Sequence, residues 1–135
     1  MIKPKIILFA CVHNAGRSQI AAAFFNSIAS KDKAVAISAG TEPGVSIHPE
    51  VLSVMKEVEI DLQNIKPQFL SNEIASTAHF LITMGCGESC PFVPGTIRYD
   101  WKLEDPKGKS IEEVRKIRDQ IKMLVQTLIK DNNWL

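Results

Sequence analysis

The chain has 135 residues, 45% of them hydrophobic and 23% charged, with a formal net charge of +1. A length in this range points to one domain over residues 1–135, able to bury roughly two-thirds of its unfolded surface without a stapling disulfide or metal. The nearly balanced, interspersed charge offers no bulk field for nucleic acid or a membrane surface.

No stretch has the form of a targeting signal. The apolar run at 6–12 is too short to span a bilayer, and His13, Asn14 and Arg17 follow it instead of a small-residue cleavage site. Three cysteines without a secretory signal fit a reducing, cytoplasmic setting in which thiols are free, catalytic or metal-bound.

Residues 5–10 (KIILFA) form a near-continuous apolar run, the pattern of a strand buried on both faces of a parallel sheet. Residues 18–29 follow, with Ile20, Phe24, Phe25 and Ile28 at helical spacing, so residues 11–17 are a strand-to-helix turn. A second short strand is predicted over 34–38. His48-Pro49-Glu50 opens a helix with Pro at its first position. Val51, Leu52, Met55 and Val58 supply its apolar face.

Ser71 is a candidate cap for another short helix. Strands are predicted over 80–84 and 96–99, separated by a Gly- and Pro-containing loop. Ser110 and Glu113 have capping-box spacing. The last helix then carries a stripe of Ile111, Val114, Ile117, Ile121, Leu124, Val125 and Leu128. Alternating strands and helices predict an α/β domain with a parallel sheet. In such sheets ligands sit beyond the carboxyl ends of the strands, where the loops after Ala10, Met84 and Tyr99 would converge.

The first of these loops reads Cys11-Val12-His13-Asn14-Ala15-Gly16-Arg17-Ser18. A Cys and an Arg five residues apart mean little by spacing alone; a buried strand before the Cys and a helix opening at Arg-Ser give the pattern its meaning. Main-chain N–H groups of a tight loop and a helix N-terminus make a concave anion site. Arg17 adds a planar fork for two oxygens of a tetrahedral oxyanion. The same positive field favours the Cys11 thiolate, and Ser18 can donate a hydrogen bond to it. Asn14 tolerates a left-handed backbone and Gly16 removes bulk. His13 either shapes the loop or faces solvent. Asp105, before Pro106 in a loop expected at the same end of the sheet, is a candidate proton donor as well as a simple turn-former.

The run CVHNAGRS after KIILFA resembles the catalytic loop of the low-molecular-weight protein tyrosine phosphatase superfamily, and Ser38-Ala39-Gly40-Thr41 and His48-Pro49 resemble further landmarks. TMGCGESCP at 83–91 and DWKLEDPKG at 100–108 resemble its arsenate reductase branch. The resemblance implies an α/β fold, a single three-layer domain with a four-stranded parallel sheet flanked by helices, and Cys11 as nucleophile, Arg17 as oxyanion clamp and Asp105 as general acid. Val12, His13, Asn14, Ala15, Gly16 and Ser18 complete the oxyanion loop. Two departures stand out. Lys107 and Gly108 follow Asp-Pro where the tyrosine phosphatases carry tyrosines, and Tyr99 is the only tyrosine. Ala22 stands where one reductase branch has an acidic potassium ligand, so that site is not carried over.

Cys86 and Cys90 admit three readings: thiols that supply two electrons by forming a disulfide, half of a zinc site, or inert free cysteines. Arsenate matches phosphate in shape and charge. The expected function is therefore reduction of arsenate to arsenite at Cys11, with no bound cofactor. Electrons would come from an external thiol, whether thioredoxin, glutaredoxin with glutathione, or mycothiol. The rivals are a phosphatase acting on phosphotyrosine or a small phosphoester, and a redox sensor or oxyanion-binding protein without turnover.

Overall fold

A computed structural model describes residues 3–86, 90 and 93–135. Strand β1 (Lys5–Cys11) runs into helix α1 (Arg17–Ile28) and strand β2 (Ala34–Gly40). Helices α2 (Pro49–Lys56) and α3 (Asn72–Thr77), strands β3 (Phe80–Thr83) and β4 (Ile97–Asp100), and helix α4 (Ile111–Asp131) follow.

The four strands form one sheet in the order β2-β1-β3-β4. Every pairing is parallel, with Cys11 opposite Gly40, Ala10 opposite Thr83, and Thr83 opposite Asp100. The chain order reverses at β1 and β3, so the crevice at a topological switch point lies beyond the ends of these two strands. Cys11 ends one of them.

The apolar run of β1 divides by alternation, because successive side chains of a strand point to opposite faces. Ile7, Phe9 and Cys11 join the larger core with α1, α2 and α4. Leu8 and Ala10 join a smaller core with Leu70, Ala75, Leu81, Cys86 and Cys90 on the α3 side. The α/β parallel sheet predicted from the alternation of elements is observed, in the four-stranded, three-layer form that the resemblance implied.

Boundaries shift by a residue or two. β1 and β2 run on to Cys11 and Gly40, because their ladder holds that far. The Ser71 cap is present, its hydroxyl accepting from the Ile74 N–H at 3.1 Å. Ser110 and Glu113 form the predicted capping box of α4. The stripe of α4 is buried at Val114, Ile117, Ile121, Val125 and Leu128, while Ile111 and Leu124 are half-buried. Beyond β4, Trp101 lies against Phe9 with ring centroids 5.7 Å apart, which anchors the segment leading to Asp105. No helix among the described residues is long and apolar enough to cross a membrane.

Candidate active site

The turn after β1 is shaped from outside. Main-chain N–H groups of Thr41, Glu42, Gly44 and His48 donate to the carbonyls of Cys11, Val12, His13 and Ala15 at 2.8–3.2 Å. The His13 ring adds a contact from Nδ1 to the Glu42 carbonyl at 2.9 Å, so this side chain shapes the loop. With those carbonyls drawn outward, the amides of His13, Ala15 and Gly16 have no acceptor among the described residues. Helix α1 begins next to them with no side-chain cap and no acidic residue in its first turn. Its opening N–H groups are the orphan donors that favour an anion.

Cys11 is buried, and two polar groups converge on its sulfur. The Asn14 N–H points at Sγ from 3.2 Å, and Ser18 Oγ lies 2.9 Å from it. Asn14 reaches that position with a φ of 51°, a left-handed conformation that asparagine tolerates. Gly40, opposite Cys11 in the sheet, lets the loop lie flat on β2. A Cβ there would stand 2.6 Å from the Val12 carbonyl oxygen and 2.9 Å from the Asn14 nitrogen.

Arg17 is almost wholly buried, and its guanidinium is steered by three neighbours. Nη1 donates to the Leu103 carbonyl at 3.2 Å, and Nη2 lies 3.7 Å from Asp105 Oδ2. Gly85 closes the third side at a φ of +95°, so near that a Cβ would meet Nη1 at 2.5 Å. Asp105 is half-exposed, and its Oδ1 accepts the Lys107 N–H at 3.0 Å, so the turn-forming reading of Asp-Pro also holds. Pro106 rests on Gly16, where a Cβ would meet its ring at 2.7 Å. The absence of a side chain at Gly16 is what lets the Asp105 loop close over the oxyanion loop. The nearby carboxylate Asp100 is engaged otherwise. The Thr83 hydroxyl donates to it, which holds its carboxyl below the usual range, and Arg98 beside it acts in the same direction.

Cys86 and Cys90 are joined as a disulfide with Cα atoms 5.6 Å apart. Both are buried in the smaller core, and Cys86 Sγ stands 4.0 Å from the Ala10 carbonyl oxygen. The pair thus sits one residue from Cys11 along β1, but on the other face of the sheet. Gly87, the second glycine beside Cys86, lies outside the described residues. Tyr99 stacks on Phe80 at 6.4 Å, away from the oxyanion loop.

Sequence reasoning missed four participants: Gly85, Gln19, Gln68 and the Leu103 carbonyl. A glycine directly before a cysteine was a usable signal for close backbone approach. The two glutamines and a main-chain carbonyl carry no such mark.

The model of the low molecular weight phosphotyrosine protein phosphatase family matches residues 6–133. An arsenate reductase of Staphylococcus xylosus is 34% identical over 125 residues, which is 90% of this chain and 94% of that one. A glutaredoxin arsenate reductase of Synechocystis is 36% identical over 93% of this chain and 96% of its own length. Among solved structures, a thioredoxin-dependent arsenate reductase of Corynebacterium glutamicum superposes with a TM-score of 0.81 at 36% identity. That superposition covers 96% of this chain, which spans only 62% of the Corynebacterium chain. A match over nearly the whole chain, on a fold that delivers a cysteine and an arginine to one end of a parallel sheet, places this protein in the low molecular weight phosphotyrosine protein phosphatase family.

Proposed function

We propose that this protein reduces arsenate to arsenite, using Cys11 as nucleophile and an external thiol as electron source. The observation that carries the reading is the Cys86–Cys90 disulfide, set one residue along β1 from a cysteine that already receives two hydrogen-bonding contacts. A phosphatase has no use for such a pair.

The Cys11 thiolate attacks arsenic, and one arsenate oxygen departs as water after protonation by Asp105. Arg17 and the loop amides hold the remaining oxygens, where preorganised donors act most strongly. The Cys86 thiolate then attacks Cys11 Sγ. The electron pair of the S–As bond passes to arsenic, which leaves as arsenite, and a Cys11–Cys86 disulfide remains. Cys90 attacks Cys86, Cys11 is freed, and the oxidised enzyme holds Cys86–Cys90. An external dithiol returns two electrons to that pair. Because Cys86 and Cys11 sit on opposite faces of the sheet, the reduced pair must leave the smaller core during turnover.

The test is arsenite formation with thioredoxin, glutaredoxin–glutathione and mycothiol systems in parallel, combined with mass mapping of disulfides after one turnover without donor. Cys90→Ser should trap a Cys11–Cys86 disulfide. If Cys86→Ser and Cys90→Ser both keep full activity and Cys11 instead carries a small-thiol adduct, the internal relay is wrong. Fast phosphoester hydrolysis without arsenite would make this chain a phosphatase.

A further inference from the structure

The contact between Cys11 Sγ and Ser18 Oγ does not by itself say which atom donates. The hydrogen bonds around it do. The main-chain N–H of Gln68 points at one terminal atom of the Asn14 side chain from 3.0 Å. An amide N–H can only donate, so that atom is the carbonyl oxygen Oδ1. One terminal atom of Gln19 lies 2.9 Å from the same Oδ1 and 3.1 Å from the Asn14 main-chain oxygen. Only an NH2 group satisfies two acceptors, so it is Nε2.

With Oδ1 placed, Asn14 Nδ2 faces Ser18 Oγ at 2.6 Å and donates to it. The hydroxyl has one proton, Asn14 Nδ2 can only donate to its oxygen, and among the described residues Cys11 Sγ is its one other hydrogen-bonding contact, so that proton is directed at Cys11 Sγ.

We infer that Gln19 is a positioning residue that, acting through Asn14, locks the Ser18 hydroxyl as a donor to the Cys11 thiolate. Both hydrogens of the Gln19 NH2 are committed to Asn14, one on its side chain and one on its main chain. They hold the left-handed turn of Asn14 as well as the direction of its carboxamide. Gln68 ties the same unit to β2 through Nε2, which donates to the Ser38 carbonyl at 2.7 Å. Asn14, Ser18 and Gln19 are all buried, so no solvent competes for these bonds.

The inference rests on Cys11 being the attacking thiolate, which reduction and phosphoester hydrolysis share. Its test therefore uses no turnover. In a Cys86→Ser/Cys90→Ser background only Cys11 can be alkylated, and its rate with iodoacetamide is measured at pH 6.5 beside the melting temperature. Gln19→Met keeps the length and removes the donor; Gln19→Glu keeps the shape and offers only acceptors. Both should slow alkylation, by about tenfold for Gln19→Met, the scale of one hydrogen bond to a charged group. Ser18→Ala should cost a similar factor. Adding Gln19→Met to Ser18→Ala should cost nothing more, since the two act through one proton. An unchanged rate in Gln19→Met, or losses that multiply in the double variant, overturns the inference. Gln19→Met carries the test even where Gln19→Glu does not fold.

Discussion

Gly85→Ala separates the demands of the backbone from those of the active site. Gly85 has a φ of +95°, and an alanine there would suffer the left-handed penalty of about 1–2 kcal/mol. Its Cβ would also lie 2.5 Å from Arg17 Nη1, 3.2 Å from Cζ and 3.3 Å from Nη2, across the guanidinium. To restore ordinary contact the guanidinium must withdraw by about 1 Å, a displacement that can cost on the order of 100-fold in rate. The withdrawal should cost little stability, because the end of a long side chain moves, but it strains the 3.2 Å bond to the Leu103 carbonyl.

Gly95→Ala is the control. Its φ is +85°, and nothing among the described residues lies within 4 Å of the added Cβ. Urea denaturation should show both variants destabilised by similar amounts. Arsenite formation should fall about 100-fold only in Gly85→Ala, with weakened phosphate binding by calorimetry. Equal activity in the two variants would refute the assignment of Gly85 as a wall of the Arg17 site.

Arg17→Lys should lose nearly all turnover and most oxyanion affinity, because an ammonium cannot reproduce the bidentate fork; phosphate titration checks the second half. Asp105→Asn should slow single-turnover arsenate chemistry by about 100-fold while phosphate still binds. Untouched turnover would move the proton donor elsewhere. Glu57 receives Arg115 at 2.7 Å and Arg118 at 2.8 Å, joining the end of α2 to α4. The Arg115 hydrogen bond, with Arg118 adding to it, holds the Glu57 carboxyl below its ordinary value of 4.5. Its contribution is then complete above about pH 4.5 and is lost as pH falls through the lower folded value. Stability against urea from pH 6 to pH 3 should accordingly decline more in the native protein than in Glu57→Gln.

The layout of the chain and the core of the site were legible in one dimension because they depend on local rules. KIILFA reads as a doubly buried strand since both faces of β1 are covered. Ser110 with Glu113 reads as a helix start since a cap needs only three residues. The oxyanion loop reads as a strand-to-helix turn in which Asn14 and Gly16 have the conformational freedom and small size the turn requires. Strand order was not legible at this level: placing β1 between β2 and β3 depends on long-range pairing that no local pattern encodes.

The same limit applies inside the site. The sequence by itself determined the chemical groups, a cysteine, an arginine and an aspartate at readable positions, and their attachment to one end of a sheet. Tertiary structure decided their directions. The Leu103 carbonyl and Gly85, each more than sixty positions away from Arg17 in the chain, aim its guanidinium. Gln68, 54 positions from Asn14, fixes the face of its carboxamide and with it the proton of Ser18. Alternation along β1 sent Cys11 and the Cys86–Cys90 pair to opposite faces of the sheet, though Cys86 packs beside Ala10. Hydrogen bonds are directional and their partners here are distant in the chain, so composition and spacing can name the candidate groups, but only the folded packing orients them.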